Sequence, residues 1–295
     1  MPFDVLEISR RIRALGREIL PAIEPTAALY APFQEREDYR GVRLSRDIRY
    51  GADERNRLDV FAPESAPGAA RPVLLFVHGG GFVGGDKHLP GSPYNDNVAL
   101  WALRHGMIGV NMTYRLAPAH RWPAGAQDVQ AALAWVRDKI ATFGGNPERV
   151  FLLGTSAGAV HVASYVVQPS LHPRGGPGVA GAILLSGMYD LTVAARNPMH
   201  LAYFGEDPAQ YVRASMREGL LATAVPLLFV LTEMDPPEFQ HQTLAMLQAF
   251  LTQRGELPGF VYLPGHNHLS STMHLNSPDA YLGERIRDFI ATTAG

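Results

Sequence analysis

Ser156 stands at the centre of Gly154-Thr155-Ser156-Ala157-Gly158, preceded by the apolar run Val150 to Leu153 and followed by a helix-forming stretch. A serine on a tight strand-to-helix turn lifts its Oγ clear of the backbone as a nucleophile for acyl transfer. The glycines two places to either side relieve the crowding such a turn creates. A Gly-rich strand–helix turn without chemistry can share this pentapeptide, but a strand before it and a helix after it favour the reactive reading.

A second group follows an earlier apolar run: Leu74 to Val77 leads into His78-Gly79-Gly80-Gly81-Phe82. Backbone N–H groups of such a loop can converge on one oxygen because no Cβ blocks the approach, which is what a tetrahedral oxyanion requires. Gly79, Gly81 and Gly84 also match the spacing of a dinucleotide-binding turn. That reading fails on context: Pro90, Gly91 and Pro93 oppose the helix it needs. The following strand ends in Asn111, Met112 and Thr113 rather than in an acid.

An activated serine needs a base, and the base needs a carboxylate that fixes its tautomer. Asp235 follows the apolar run Pro226 to Leu231, where ligands and catalytic groups gather in open α/β sheets, and is preferred to Glu233 and Asp190. After the run Gly259 to Leu263 come His266 and His268, and residue type alone does not choose between them as the base. The pair, with His274, also reads as a metal cluster. Carboxylate ligands are short there, Asp279 being the next acid and placed at a helix cap, so no metal is expected. His161, His88, His105 and His241 read as packing or supporting residues, and Trp101 and Trp135 as core.

These groups must be carried by a scaffold. From Val42 onward short β-rich runs alternate with helix-period stretches, the pattern of a sheet covered on both faces. Asp47 to Tyr50 and Leu58 to Phe61 predict an antiparallel hairpin at the sheet edge. Val73–Val77, Met107–Met112, Val150–Leu153, Gly181–Leu185, Pro226–Leu231 and Gly259–Leu263 predict six buried parallel strands, eight in all. Val129, Leu133, Val136 and Ile140 predict one helix face, and Phe239, Leu244, Leu247 and Leu251 another. Residues 1–41 and 192–222 break the alternation and are expected to form a helical cap on a single α/β domain spanning 1–295.

The 295 residues carry 26 Lys+Arg against 28 Asp+Glu, with no basic cluster, so a nucleic-acid partner is not expected. The absence of cysteine excludes disulfides, thiolate metal sites and a cysteine nucleophile. Apolar runs are strand-sized, far short of the roughly 20 residues that cross a bilayer, so no membrane association is expected. Charges at Asp4, Glu7, Arg10, Arg11 and Arg13 interrupt any secretory h-region, and a cytoplasmic location is expected.

Taken together, His78 to Phe82 with Gly85-Asp86-Lys87, Tyr114-Arg115-Leu116-Ala117-Pro118, Gly154 to Gly158, Asp235 and His268 before Leu269-Ser270 resemble the hormone-sensitive-lipase-like carboxylesterases of the α/β-hydrolase superfamily. The resemblance runs from about Leu44 to the C-terminus. The segment Gly265-His266-Asn267-His268 is nearer to relatives that include feruloyl-type esterases and bacterial arylformamidases. The resemblance implies an α/β-hydrolase fold with Ser156 as nucleophile, Asp235 as orienter and His268 as base. It also implies an oxyanion hole from the amides of Gly80, Gly81 and Ala157. Tyr114 to Pro118 becomes a structural turn, and Asp128 part of a network or helix cap beneath it.

The expected activity is hydrolysis of small to medium uncharged carboxylic esters through an acyl-enzyme, with no cofactor. Phe82, Tyr203 and Phe204 are candidates to line an acyl or aryl pocket, against the alternative that the last two simply pack the lid. An amide or aryl-formamide hydrolase would use the same triad. A non-catalytic small-molecule binding protein on this scaffold would be expected to lack a triad member, and none is lacking here. A homodimer is compatible with the family, with no sequence feature marking its interface.

Overall fold

Strands β3 (Arg71–Val77) and β5 (Gly145–Thr155) are apolar on both faces because they pair side by side at the middle of the sheet, with helices above and below. The computed structural model describes residues 2–37, 39–65 and 70–293. Its remaining strands are β1 (Val42–Arg49), β2 (Arg57–Pro63), β4 (Ile108–Met112), β6 (Gly181–Leu185), β7 (Leu227–Met234) and β8 (Gly259–Asn267). The eight form one sheet in the order β1-β2-β4-β3-β5-β6-β7-β8. β1 and β2 make the expected antiparallel hairpin at one edge, β2 is antiparallel to β4, and the other neighbours are parallel. The chain therefore has the eight-stranded, mostly parallel α/β architecture read from its sequence.

Alternation along β3 divides the core. Val73, Leu75 and Val77 face a cluster that includes Val129, Leu133 and Val136 of α4 (Ala124–Lys139), Val160 of α5 (Ala157–Val166) and Phe250 of α9 (Pro237–Arg254). Leu74 and Phe76 face the opposite way, onto Val98 and Trp101 of α3 (Asp96–Arg104) and Leu282, Ile286 and Ile290 of α11 (Tyr281–Thr292). Val129, Leu133 and Val136 of the expected face are buried in α4, and Ile140, the fourth, is buried in the turn just after it. In α9 the helix is where it was expected, and Phe239 and Leu247 pack inward, but the other two residues of the expected face do not. Thr243, Met246, Leu247 and Phe250 are buried, whereas Leu244 and Leu251 are half exposed. The buried set runs i, i+3, i+4, i+7 and includes a threonine, so counting leucines picked a stripe rotated toward solvent.

Residues 1–41 contain α1 (Val5–Leu15) and α2 (Ile19–Tyr30). Ile8, Ile12, Leu29 and Tyr30 pack there with Tyr94, and with Met234 at the end of β7. Asp4 caps α1 by accepting from the amides of Leu6 and Glu7 at 3.0 and 3.2 Å. Residues 192–222 contain three short helices, α6 (Pro198–Phe204), α7 (Pro208–Ala214) and α8 (Arg217–Ala222). Pro198 and Pro208 open the first two behind the capping side chains of Asn197 and Asp207, so each turn starts where proline's missing N–H costs nothing. No helix among the described residues is long and apolar enough to cross a membrane.

Candidate active site

The carboxyl ends of β5, β6, β7 and β8 lie side by side, and each delivers one polar side chain to the same edge of the sheet. β5 ends in Ser156, held at φ 55° and ψ −122°. A non-glycine residue at positive φ is rare, and it persists because the surroundings leave no alternative. The Ser156 amide donates to the carbonyl of Leu185 at the end of β6, 2.9 Å away. A Cβ on Gly154 would sit 2.4 Å from the carbonyl oxygen of Gly158, and one on Gly158 would sit 2.1 Å from that of Val77. Both glycines are therefore demanded by backbone contact, which is the physical reason for their spacing around the serine.

β7 delivers Asp235, wholly buried, and both of its carboxylate oxygens are engaged. Oδ1 accepts from His268 Nδ1 at 2.7 Å. Oδ2 accepts from Ser186 Oγ at 2.7 Å and from the Thr232 amide at 2.8 Å. His268, just beyond β8, is 6% exposed, and its Nε2 is buried without a hydrogen-bond partner among the described residues. With Nδ1 committed to Asp235, the proton sits on that nitrogen and Nε2 offers a lone pair.

The rival candidates are held elsewhere. Glu233 accepts from the Arg13 side chain at 2.7 Å and from the Gly265 amide at 2.7 Å, and the Arg13 guanidinium holds its carboxyl down at about 2. Asp190 caps the turn at Thr192. His266 faces Asp279, 3.3 Å away, and not Asp235. The geometry thus separates the two histidines that residue type alone left equivalent.

The glycine loop after β3 lies against the serine turn: a Cβ on Gly79 would be 3.3 Å from Ser156 Cβ. Gly80 and Gly81 adopt φ 128° and 59°, and the Gly80 carbonyl accepts from the amides of Val83 and Gly84. Their own amides donate to no backbone or side-chain group among the described residues. Ala157 is the first residue of α5, so its amide lies beyond the reach of an intrahelical acceptor. His78 anchors the loop from behind. Its ring stacks on Tyr114 at 4.4 Å, its Nδ1 donates to the Gly79 carbonyl at 2.6 Å, and Tyr114 donates to the His78 carbonyl at 2.9 Å. Burial pushes the His78 imidazole down to about 4 and that of His161 down to about 3, so both stay neutral behind the loop.

Phe82, Tyr203 and Phe204 come together at 2%, 1% and 3% exposure, packed on one another with almost no surface left to line an open pocket. Phe82 and Tyr203 stack face to face at 4.6 Å, and Phe204 meets both edge-on. The Tyr203 hydroxyl accepts from the Gly125 amide at 3.1 Å. Met199, on the same helix α6, lies where a Cβ on Gly81 would be, 2.2 Å from its Sδ. Asp128 lies one turn inside α4 and so does not cap it. It receives the amide and guanidinium of Arg115 and the amide group of Asn56.

Ser186 was not foreseen. Its signal is modest, a lone hydroxyl residue directly after the apolar run Gly181 to Leu185. The metal argument also changes in three dimensions: His268 is absent from the cluster, but Asp279 joins His266 and His274, with one ligand atom from each within 4.8 Å of the others. Asp279 lies beyond a turn that linear spacing cannot fold back.

Comparison with known proteins follows the same boundaries. The family described as alpha/beta hydrolase fold matches residues 74–268, from β3 to the histidine paired with Asp235. Esterase LipQ of Mycobacterium tuberculosis is 34% identical over 271 residues, covering 84% of this chain and 62% of that protein. Esterase LipC of the same organism is 36% identical over 113 residues, covering 38% of this chain and 27% of LipC. The chain thus spans under two thirds of the length of these relatives. Among solved structures, Esterase B from Lactobacillus rhamnosis, inhibited by a C4-C4 SN3 tributyrin phosphonate, superposes with a TM-score of 0.73 at 20% identity. The match covers 99% of this chain and 97% of that one, a likeness of fold.

Proposed function

The chain belongs to the alpha/beta hydrolase family, and from that premise we propose that it is a serine carboxylesterase acting on small to medium uncharged carboxylic esters. The observation that carries the reading is the buried 2.7 Å pair of His268 Nδ1 and Asp235 Oδ1, which leaves Nε2 bare at the sheet edge that carries Ser156. Relatives named as esterases support the same chemistry.

In this mechanism His268 Nε2 takes the proton from Ser156 Oγ as the oxygen attacks the ester carbonyl. The developing oxyanion is met by the amides of Gly80, Gly81 and Ala157. The tetrahedral intermediate collapses by breaking the C–O bond to the alcohol, which leaves with the proton from His268. Water then repeats the attack on the acyl-Ser156 with His268 again as base, releasing the acid and restoring the serine. Asp235 holds the ring and balances the transient imidazolium throughout. No cofactor takes part.

The 295 residues are read as one hydrolase domain, with residues 1–41 and 192–222 as the cap that shapes the acyl and alcohol subsites. Phe82, Tyr203 and Phe204 serve this site from behind, as a packed aromatic wall that keeps the oxyanion loop in place and borders the acyl side. The test is hydrolysis of p-nitrophenyl acetate, butyrate and octanoate by the wild type beside Ser156→Ala, His268→Ala and His266→Ala. Turnover in the wild type and His266→Ala, with the other two at background, is expected. A wild type no faster than Ser156→Ala on every ester overturns the proposal.

A further inference from the structure

Beyond the hydrolytic site, the segment that carries His268 is bracketed by a second group of ligating side chains. His266 and His274 are 3% and 0% exposed, and the Asp279 side chain is 7% exposed. They come from the end of β8, from the residue after α10 (Ser270–Met273) and from the turn before α11.

Ser270 sets the orientation of both rings. Its carbonyl lies 2.5 Å from His274 Nδ1, and since a carbonyl only accepts, that nitrogen carries the proton. His274 Nε2 is then a lone pair, and it is buried with no hydrogen-bond partner among the described residues. Ser270 Oγ donates to the Asn267 carbonyl at 3.1 Å and so accepts from His266 Nδ1 at 3.2 Å. This leaves His266 Nε2 facing Asp279 Oδ2 across 3.3 Å, a contact that needs either a proton or a cation between the two atoms.

Three acceptors therefore converge, and no Lys or Arg side chain bonds to any of them among the described residues. A proton on His266 would answer Asp279 but leave His274 Nε2 unmatched; one cation answers all three. Two ligands about 2.0–2.1 Å from a tetrahedral ion stand about 3.3 Å apart, the separation of the His266 and Asp279 atoms. Nδ1 of a ligating histidine held by a serine or a carbonyl is also the usual support for metal binding through Nε2.

We propose that His266, His274 and Asp279 bind one divalent transition metal ion, with two imidazole nitrogens and a carboxylate oxygen suiting zinc. The ion ties the end of β8 to α10 and to the start of α11, and so fixes both ends of the segment presenting His268. Its role is structural: it touches neither Asp235 nor the substrate, and its binding does not depend on whether the chain hydrolyses esters.

The test is equilibrium dialysis of the full chain, stripped with EDTA, against Zn2+ alone, with thermal melting followed in parallel. Wild type is expected to hold one zinc per chain and to melt higher with zinc than in EDTA. His274→Asn and Asp279→Asn are each expected to weaken binding at least about tenfold, and melting in EDTA shows whether each variant is folded. His105→Gln, at an exposed histidine away from the cluster, should bind as the wild type does. Absence of bound zinc in wild type overturns the proposal, as does zinc binding undiminished in both folded cluster variants. Ester turnover is scored separately: zinc binding without turnover removes the hydrolase reading alone, and turnover without zinc binding removes the metal site alone.

Discussion

Arg17 donates a 2.6 Å hydrogen bond to the backbone carbonyl of Asp235, so the turn between α1 and α2 grips the loop that carries the acid. Arg13, one turn earlier, binds Glu233 two residues before Asp235. Thr26 of α2 accepts from Asn267, the neighbour of His268, at 2.8 Å. The N-terminal helices are thus joined to both loops of the Asp235–His268 pair.

Arg17→Ala should lower turnover more than it lowers stability. Arg17 is an exposed residue and the bond only partly buried, so its loss costs about 1 kcal/mol of folding free energy. Released from this contact, the Asp235 loop is expected to present the imidazole less accurately, lowering kcat about tenfold with KM little changed. Urea midpoints and p-nitrophenyl butyrate kinetics on the same samples check both halves. A variant with wild-type kcat would mean that β7 alone positions the acid.

Ser186→Ala removes one of the three donors to Asp235. Hydrogen bonds to charged groups contribute about 1.5–3 kcal/mol, and part of that is expected in the transition state, where the imidazolium depends on a fixed carboxylate. A fall of about tenfold in kcat is expected. In the Asp235→Asn background the same substitution should add little, because the two groups act as a unit. Full additivity in the double-mutant cycle would assign Ser186 a role apart from Asp235.

Much of the candidate site was legible because its residues lie on glycine turns and strand ends. Gly154 and Gly158 announce a close backbone approach, and the apolar runs before Ser156 and Asp235 announce buried parallel strands; the run before His268 is parallel as expected but not buried, because β8 is the edge strand and turns Phe260 and Tyr262 toward solvent. What was not legible depends on contacts between distant segments. Arg17 and Asp235 are 218 residues apart, and no local pattern ties one to the other. His266 and His268 differ by which carboxylate they meet, a question decided by the path of the chain through α10 to Asp279. The inward face of α9 was legible only in part, because burial there falls on Thr243 and Met246 beside Leu247, while Leu244 and Leu251 face outward. Tertiary packing overrode the hydrophobic count.

Acid should destabilise the fold well before its carboxylates titrate. Burial holds His78 at about 4 and His161 at about 3, against an unfolded value of about 6.5. Between those limits the unfolded chain binds protons that the folded chain refuses. Stability therefore falls as pH drops from about 6.5 toward 4, by about 1.4 kcal/mol per pH unit for each histidine, and these two groups contribute no slope above about pH 7.5. Urea unfolding at pH 7.5, 5.5 and 4.5 measures this. His161→Gln should lose one histidine's share of the slope, and an unchanged slope would show that His161 is protonated in the folded state.

Gly158→Ala sets two effects against each other, and the structure decides the sign. Gly158 lies within α5, so on helix propensity alone alanine would stabilise by about 1 kcal/mol. Its Cβ, however, would meet the carbonyl oxygens of Val77 and His78 at 2.1 and 2.6 Å. Val77 cannot retreat, because β3 is paired with β4 on one side and β5 on the other. The helix must move instead, and it carries the Ala157 amide and the Ser156 turn away from the glycine loop. A net loss of about 2 kcal/mol is expected from overpacking, together with a fall in turnover measured well below the melting transition. If the variant proved more stable than wild type, α5 would not abut β3 as closely as these contacts require, and the steric account of the serine turn would fail with it.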